Sequence, residues 1–331
     1  MRWNPFRIEC IHLVSTTHSQ PGKGHLGMNG AHVDDQVFLI GRPPLGEYLA
    51  FITTMAVGGQ SIPQSILASE WRAANDHLRG IENEEAGWAD NAVIAQVDQS
   101  QQSLADEIYA DPMFQRSYQL VPTEIGIVEL DRMVVFQKFI NLTYVRSLQT
   151  QLGEHLNADQ IFRFCLSVDH SSPPVQSIQI AGNSFAFISP SNDFRFVEGR
   201  LFSPHEVTYD PQGPVTNILG LILGYGSNFL SAIQIEGRLI IINGSHRAYA
   251  LRDKGVTHVP CVIQRLSRRD ELEVVLHGEV SAKPDLFLKA ARPPLLKDYF
   301  DPALRKLVQV ARKNRLIKVT FGIEQSDIPA S

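Results

Sequence analysis

The stretch SAIQIEGRLIIINGSHRAYALRDKGVTHVPCVIQ, residues 231–264, constrains the fold of this chain more than any other part of it. Glu236-Gly237 separates two runs rich in β-forming residues, a pattern that predicts a hairpin with a tight turn. The second run contains the residues 240–242, all isoleucine, and predicts a buried strand. Residues 259–263 predict another strand. We therefore expect residues 229–263 to form, in order, a strand, a turn, a strand, a helix and a strand.

The helix of this unit has recognisable start and end signals. Asn243-Gly244 breaks the preceding strand, and Ser245 is placed to cap the helix that follows. Gly255 is expected to end the helix in the left-handed backbone conformation. The inward-facing positions of the helix are expected to be Ala248, Ala250 and Leu251.

The turn Asn243-Gly244-Ser245-His246-Arg247 is suited to holding a phosphate-like anion. The first N–H groups of a helix have no partner within the helix, and the helix dipole adds positive potential there. Gly244 allows the backbone to approach a ligand closely, and Ser245 adds a hydroxyl. His246 and Arg247 add donors, and a guanidinium matches phosphate with two parallel hydrogen bonds. Because any strand–glycine–helix junction frees N–H groups, the spacing leaves a purely structural role open.

Composition limits the class of protein. The chain has 331 residues, of which 44% are hydrophobic and 20% are charged, as in globular proteins of one large or two fused domains. The formal net charge of −5 makes DNA a possible but not a favoured partner. The three cysteines, Cys10, Cys165 and Cys261, fit neither a disulfide framework nor a zinc cluster. We recognise no signal peptide and no membrane span, so we expect a cytoplasmic protein without membrane contact.

A resemblance to a known superfamily rests on the same turn. Residues 243–247, with Ala250 and the exit from Gly255 to Val259-Pro260, resemble the second box of the ParB/sulfiredoxin superfamily. A fainter match lies upstream, where residues 127–137, a strand followed by a segment that ends in Gln, resemble the first box.

The resemblance implies a fold and a domain organisation. The fold would be α/β (α+β), with a mixed-sheet ParB/sulfiredoxin-like core at residues 120–267 and a long insertion at about 140–225. The resemblance does not extend to residues 1–119 or 268–331. From the residue pattern, we expect residues 1–119 to form a mostly helical N-terminal extension and residues 268–331 to form a helical C-terminal tail. The same kind of pattern predicts a helix capped by Asp131 that continues through about Leu152.

The resemblance also implies a ligand. Gly244, Ser245, His246 and Arg247, next to Asn243, would contact the phosphates of a nucleotide such as ATP, ADP or CTP. Mg²⁺ would arrive with the nucleotide, since no HExxH, CxxC or Walker motif is present. Sulfiredoxins have Cys at the position of Ser245, so sulfiredoxin activity is not expected. Partition ParB proteins have Glu-Arg in place of Ser245-His246, whereas the serine kinase of the superfamily also places His before Arg.

Phosphoryl transfer or nucleotide hydrolysis is the leading functional hypothesis, with His246 and Arg247 as catalytic residues. Arg247 would stabilise the charge in transfer, and His246 would donate a hydrogen bond or act as an acid or base. We expect Arg247 to be required for nucleotide binding and dispensable for folding. The candidate carboxylate bases are Glu129, Asp193, Glu198 and Glu236.

Other interpretations stay open. The basic run at residues 292–318 favours a ParB-like DNA-binding protein or nuclease, although such a run is more often a solvated helix face. A non-catalytic sensor of a nucleotide or an anionic metabolite would use the same turn without turnover. Residues 225–228 could line the ligand site or form a simple turn.

Overall fold

The computed structural model describes residues 32–210, 212–275, 280 and 283–329, in two compact units. The larger unit comprises His32–His170 and Ser227–Arg312. The described part of the smaller unit lies within residues 171–226 and 313–329. Residues 1–31 of the predicted N-terminal extension lie outside the described residues.

The described residues contain both helices and strands, and the predicted mixed α/β class is confirmed. The helices are α1 (Leu45–Met55), α2 (Gln64–Glu84), α3 (Gln102–Ala110), α4 (Pro112–Ser117), α5 (Leu142–Leu152), α6 (Ala158–Cys165), α7 (Ser245–Asp253), α8 (Leu272–Val275) and α9 (Pro284–Leu288). The strands are β1 (Val33–Leu39), β2 (Ile94–Ala95), β3 (Thr123–Glu129), β4 (Phe139–Asn141), β5 (Gln176–Ala181), β6 (Ser184–Ser189), β7 (Arg195–Phe202), β8 (Ile218–Gly224), β9 (Ser231–Ile235), β10 (Arg238–Asn243), β11 (His258–Arg265), β12 (Arg305–Ala311) and β13 (Arg315–Thr320).

A five-stranded sheet of the larger unit, in the order β10-β9-β11-β3-β2, contains the strands predicted within residues 229–263. β10 and β9 form an antiparallel hairpin, and β9 pairs in parallel with β11. Glu236 (φ 49°) and Gly237 (φ 79°) both have positive φ, as a two-residue hairpin turn of type I′ requires. α7 connects β10 to β11, so the predicted order of elements is confirmed.

The core of this sheet surrounds α7. Ala248, Ala250 and Leu251 are fully buried, as predicted, in one hydrophobic cluster with residues of β3, β9 and β11. Gly255 has a φ of +85° and ends the helix as expected. β3 pairs antiparallel with β11, with Gly126 opposite Cys261. The segment that resembles the first box therefore lies beside the strand that leaves the second box.

The larger unit has a second sheet, in the order β12-β1-β4, which joins strands from both ends of the unit. β1 is the central strand and pairs antiparallel with both neighbours. Phe38 of β1 packs with Tyr48 and Ile52 of α1 and with Leu67 and Ala74 of α2 in a separate hydrophobic cluster. α1 and α2 therefore cover one face of this sheet.

The smaller unit is built from short antiparallel strands. β13, β6 and β5 form a three-stranded sheet in that order, and β7 and β8 form a two-stranded ribbon. Tyr225 donates its hydroxyl hydrogen to the backbone oxygen of Pro173 and packs against Phe194 within this unit. None of the helices in the described ranges combines the length and the apolar character needed to cross a membrane.

Two predicted helices are wrong in part. The helix expected to begin at Asp131 does not form there: the chain makes a 3₁₀ turn at Leu130–Arg132 and is then extended through β4. The helix begins later, as α5, and Asn141 is its cap. The C-terminal tail is not wholly helical, because it contains β12 and β13. β12 pairs along its whole length with β1, a partner too distant in sequence for local patterns to reveal.

Candidate functional site

Gly244 forms the corner between β10 and α7. Its φ is +89°, a left-handed conformation that residues with a Cβ rarely adopt. A Cβ built on Gly244 would lie 2.9 Å from Leu230 Cδ1 and 3.1 Å from Leu230 Cα. The turn therefore needs glycine both for its backbone angle and for its close packing against the start of the neighbouring strand.

Asn243 holds the chain that leads into β9. Its Nδ2 donates to the backbone oxygens of Ser227 (2.6 Å) and Phe229 (3.0 Å). The Ser227 hydroxyl lies 2.9 Å from the hydroxyl of the buried Tyr118. The structure thus brings Ser227 and Asn228, two of the residues at 225–228, to the predicted turn, and Asn243 holds them there through its side-chain amide.

The first turn of α7 is uncapped. Gly244 is the N-cap residue, and no side chain in the described structure accepts a hydrogen bond from the first N–H groups. The first helical bond joins the Ala248 N–H to the Gly244 oxygen at 2.9 Å. The expectation that Ser245 caps the helix is wrong, because Ser245 is already the first helical residue. The backbone N–H groups of Ser245, His246 and Arg247 are consequently unpaired within the described chain.

Ser245 adds a further donor at the same place. Its side chain is only 8% exposed, and its hydroxyl has no hydrogen-bond partner among the described residues. The oxygen itself still reaches solvent, because the buried side-chain atoms without a partner in the described structure are Gln36 Oε1 and Arg42 Nε. A ligand oxygen at the uncapped end of α7 would replace the water that Ser245 binds there.

Arg247 is buried and holds two segments of backbone. Its Nη1 donates to the oxygens of Asn228 (2.7 Å), Cys165 (2.9 Å) and Phe164 (3.3 Å). The last two carbonyls lie at the C-terminal end of α6, where the helix dipole favours a cation. These contacts give Arg247 a structural role and argue against the expectation that it is dispensable for folding. Nε and Nη2 make no hydrogen bond in the described part of the chain.

The charge of Arg247 has no carboxylate partner among the described residues. The side chains that interact electrostatically with its guanidinium are those of Cys165, Cys261, Tyr118 and Tyr144. Burial raises the pKa of Cys165 to about 12 and the pKa of Cys261 well above its ordinary value, so both thiols stay neutral. Burial correspondingly lowers the pKa of Arg247, because a desolvated cation without a counter-ion is disfavoured.

The other buried arginines of the described structure are paired. Arg238 Nε lies 2.7 Å from Asp90, and Arg292 contacts Asp298 at 2.6 Å from its Nη2. Because removing a charge from water is costly unless an opposite charge compensates it, paired burial is the usual arrangement. Arg247 is buried without such a partner. It also lies in the first turn of α7, at the helix end that attracts anions.

His246 is a neutral hydrogen-bond donor at the rim of the turn. The backbone N–H of Asn141 donates to His246 Nε2 at 3.0 Å, so Nε2 carries no proton and the neutral ring holds its proton on Nδ1. Burial lowers the pKa of His246 from 6.5 to about 4. Since Nε2 is already occupied, His246 is suited to donating a hydrogen bond from Nδ1 and is poorly suited to abstracting a proton.

The lowered pKa of His246 makes stability depend on pH. As the pH falls below 6.5, the unfolded state binds the proton before the folded state does, so stability decreases until about pH 4. At pH 5 this loss amounts to about 2 kcal/mol relative to pH 8. In His246→Gln, whose side-chain oxygen can accept the Asn141 N–H, this contribution disappears. Urea unfolding at pH 8 and pH 5 should show a smaller loss for the variant by about 2 kcal/mol.

The control for this prediction is His155→Gln, since His155 is exposed. We expect the control to keep the pH dependence of the unmodified protein. Identical pH dependence of the unmodified protein and His246→Gln would show that His246 is not buried in its neutral form.

Two helix N-termini lie side by side at the turn. Asn141 caps α5 by accepting the Tyr144 N–H, and its own N–H contacts His246 at the start of α7. At the other end, Lys254 Nζ donates to the oxygen of Gly153, which follows α5. α5 and α7 are therefore parallel, and their dipoles add positive potential at one place.

The two candidate carboxylate bases of the larger unit, Glu129 and Glu236, lie away from the turn. Glu129 pairs with Arg132, and Glu236 pairs with Arg269 at the hairpin, the opposite end of β10 from Asn243. Asp193 and Glu198 belong to the smaller unit, whereas the turn belongs to the larger one. In the described ranges, no group of three or more His, Cys, Asp or Glu side chains is arranged to hold a metal ion.

The basic run at residues 292–318 does not form one helix face. It spans β12, β13 and the chain before them. Four of its cations form ion pairs within the larger unit: Arg292 with Asp298, Lys297 with Glu85, Lys306 with Glu70 and Arg312 with Asp34. This pairing reduces the positive charge that the run could offer to a nucleic acid.

Two surface clefts of the larger unit do not include the turn. One is lined by Leu104, Phe162 and Val168, among others, and the second by Glu70 and Lys306. None of the residues 243–247 lines either cleft.

Sequence reasoning missed two residues of the site. Asn141 and Tyr144 both lie in the segment from Asp131 to Leu152 that was expected to be one helix. Asn141 instead caps α5 and contacts His246, and Tyr144 is 52% exposed with its ring 5.5 Å from the His246 ring. An Asn before a helical run is a capping signal, but nothing local links it to a histidine that lies 105 positions later.

Comparison with known proteins gives no relative: no family model, no curated protein and no solved structure matches this chain. The function must therefore be argued from the site itself.

Proposed function

We propose that the turn at residues 243–247 binds a phosphate-bearing ligand, and that the protein is a nucleotide- or phosphate-binding protein. The observation that carries the proposal is the buried guanidinium of Arg247, which has no carboxylate partner in the described structure and lies in the first turn of an uncapped helix. An anion at this place would compensate the positive charge of Arg247 and would also accept hydrogen bonds from the unpaired N–H groups of residues 245–247.

The groups around the uncapped end are mostly donors. They are the backbone N–H groups of residues 245–247, the Ser245 hydroxyl, Nδ1–H of His246, and Nε and Nη2 of Arg247. A phosphate oxygen accepts several hydrogen bonds at once, so one phosphate group satisfies several of these donors. ATP, ADP or CTP would present such a group and would bring Mg²⁺ on its own phosphates.

The ParB/sulfiredoxin-like core remains part of this proposal. It is supported by the pairing of β3 with β11, which joins the two segments that resemble the superfamily boxes in one sheet. The connection from β10 through α7 to β11 also follows the order of strand, turn, helix and strand in the second box.

A sensor without turnover is the second candidate. It is favoured by the ion pairs of Glu129 and Glu236 and by the occupied Nε2 of His246, which leave the turn without an obvious base. A phosphotransferase or NTPase would use Arg247 to stabilise charge and His246 to donate a hydrogen bond. Incubation with ATP or CTP and Mg²⁺, followed by chromatography of the nucleotides, separates the two candidates.

A double substitution at the turn tests the binding proposal. Ser245→Ala with His246→Gln removes the hydroxyl donor and displaces the ring donor Nδ1–H, while the Gln side-chain oxygen keeps an acceptor for the Asn141 N–H. We expect calorimetric titration with phosphate, ADP or CTP to show at least about tenfold weaker binding, because each donor contacts a charged group.

The matched control is Ser65→Ala with His155→Gln, which changes exposed residues of the same types. The control should bind as tightly as the unmodified protein. If neither phosphate nor any of the nucleotides binds to the unmodified protein, the turn has a structural role and the proposal is wrong.

A further inference from the structure

Tyr144 is an exposed aromatic residue at the rim of the turn. It is the third residue of α5 and is 52% exposed, whereas Val145, Leu148 and Leu152 of the same helix are buried. Its ring lies 5.5 Å from the ring of His246 at an interplanar angle of 66°. The Tyr144 ring therefore packs against the neutral ring of His246 and still leaves one of its faces open to a ligand.

Asn141 fixes Tyr144 relative to the anion-binding groups. Its side-chain oxygen accepts the Tyr144 N–H at 2.9 Å, and its own N–H donates to His246 Nε2 at 3.0 Å. One residue thus positions the start of α5 and the ring at the start of α7. Tyr144 is also among the groups close enough to influence the charge of Arg247 electrostatically.

We propose that Tyr144 is a stacking platform for a nucleobase, so that the ligand of the turn is a nucleoside phosphate rather than inorganic phosphate or a sugar phosphate. This inference rests on the proposed function. It follows from the placement of an exposed, locally fixed aromatic ring beside donors that hold a phosphate. Stacking on an aromatic side chain strengthens binding of any base, because every base has a π-face.

The stacking contribution is specific to ligands that carry a base. AMP and CMP should bind about tenfold or more tightly than ribose 5-phosphate, which presents the same phosphate and sugar without a base. Tyr144→Leu should remove this advantage and leave the affinity for ribose 5-phosphate and inorganic phosphate unchanged. Tyr144→Phe should keep the advantage, because it preserves the ring.

Calorimetric titration of the full chain with these four ligands tests the inference. Tyr209→Leu is the control, since Tyr209 is 41% exposed and belongs to the smaller unit. Equal affinity for AMP, CMP and ribose 5-phosphate in the unmodified protein overturns the stacking role and leaves phosphate binding intact. Equal weakening of all four ligands by Tyr144→Leu overturns it as well, because a structural role would then explain the loss. Absence of binding by all four overturns this inference, and the proposed function is overturned as well if ADP and CTP also fail to bind.

Discussion

Arg247→Ala should lower the free energy of unfolding by about 3 kcal/mol. The substitution removes three hydrogen bonds from a charged donor to the oxygens of Asn228, Cys165 and Phe164. It also leaves a cavity, because Arg247 is 8% exposed and its neighbours belong to a packed core.

Two effects reduce this loss without reversing it. The Cys165 oxygen keeps a second hydrogen bond, from the Leu230 N–H at 2.7 Å, so it is not left without a partner. Removing the guanidinium also removes a desolvated cation that has no carboxylate partner in the described structure. The lost hydrogen bonds and packing outweigh both effects, because three contacts of a charged donor and a large buried volume disappear together.

Arg247→Met separates the charge from the packing. Methionine fills most of the volume, so we expect this variant to lose less stability than Arg247→Ala. Phosphate should raise the melting temperature of the unmodified protein and should not raise that of Arg247→Met, since the compensating charge is absent.

Urea unfolding followed by tryptophan fluorescence measures these differences, since Trp71 and Trp88 belong to the larger unit. The control is Arg79→Ala, whose side chain is 76% exposed and should change stability by less than about 0.5 kcal/mol. A loss for Arg247→Ala no larger than that of the control would contradict the buried arrangement of the guanidinium.

The unit at residues 229–263 could be predicted because each of its elements has local signals. The hairpin depends on Glu236-Gly237, where both residues have positive φ, and the helix ends at a left-handed Gly255. The buried strand depends on three consecutive isoleucines. These signals act over a few residues and do not require a distant partner.

Residues 133–135 could not be predicted, because distant partners determine their conformation. Their apolar spacing resembles a helix, yet Val134 donates its N–H to the oxygen of Leu239 and accepts the N–H of Ile241. The Val135 N–H donates to the oxygen of Pro294. Asp131, expected as a helix cap, instead accepts two hydrogen bonds from Arg252 at 2.9 and 3.1 Å. Such tertiary contacts override local propensity.

The candidate site could be predicted only where its residues are adjacent in sequence. Gly244 and the start of α7 beside it follow from residues adjacent in sequence, although Ser245 was expected as the cap and is the first helical residue. The carbonyls that hold Arg247 come from residues 164, 165 and 228, and no local pattern indicates them. Arg247 could therefore be predicted as a donor, whereas its structural role could not.

Gly244→Ala should lower the free energy of unfolding by about 3 kcal/mol, from two separate causes. The first is backbone strain, because the φ of +89° places a Cβ in an unfavourable left-handed conformation. The second is overlap, because the added Cβ would lie 2.9 Å from Leu230 Cδ1 and 3.1 Å from Leu230 Cα. The backbone atom cannot move aside as a flexible side-chain end could, so β9 or the turn must shift.

Gly255→Ala isolates the first cause from the second. Gly255 has nearly the same φ, +85°, but an added Cβ there would meet no heavy atom within 4 Å. We therefore expect Gly255→Ala to cost about 1 kcal/mol, the strain alone, in the same urea measurement. The difference between the two variants, about 2 kcal/mol, measures how tightly the turn packs against Leu230. Equal losses would mean that this contact does not constrain the turn. A larger loss for Gly244→Ala, together with weaker phosphate binding, would show that the close packing of the corner also positions the N–H groups of residues 245–247.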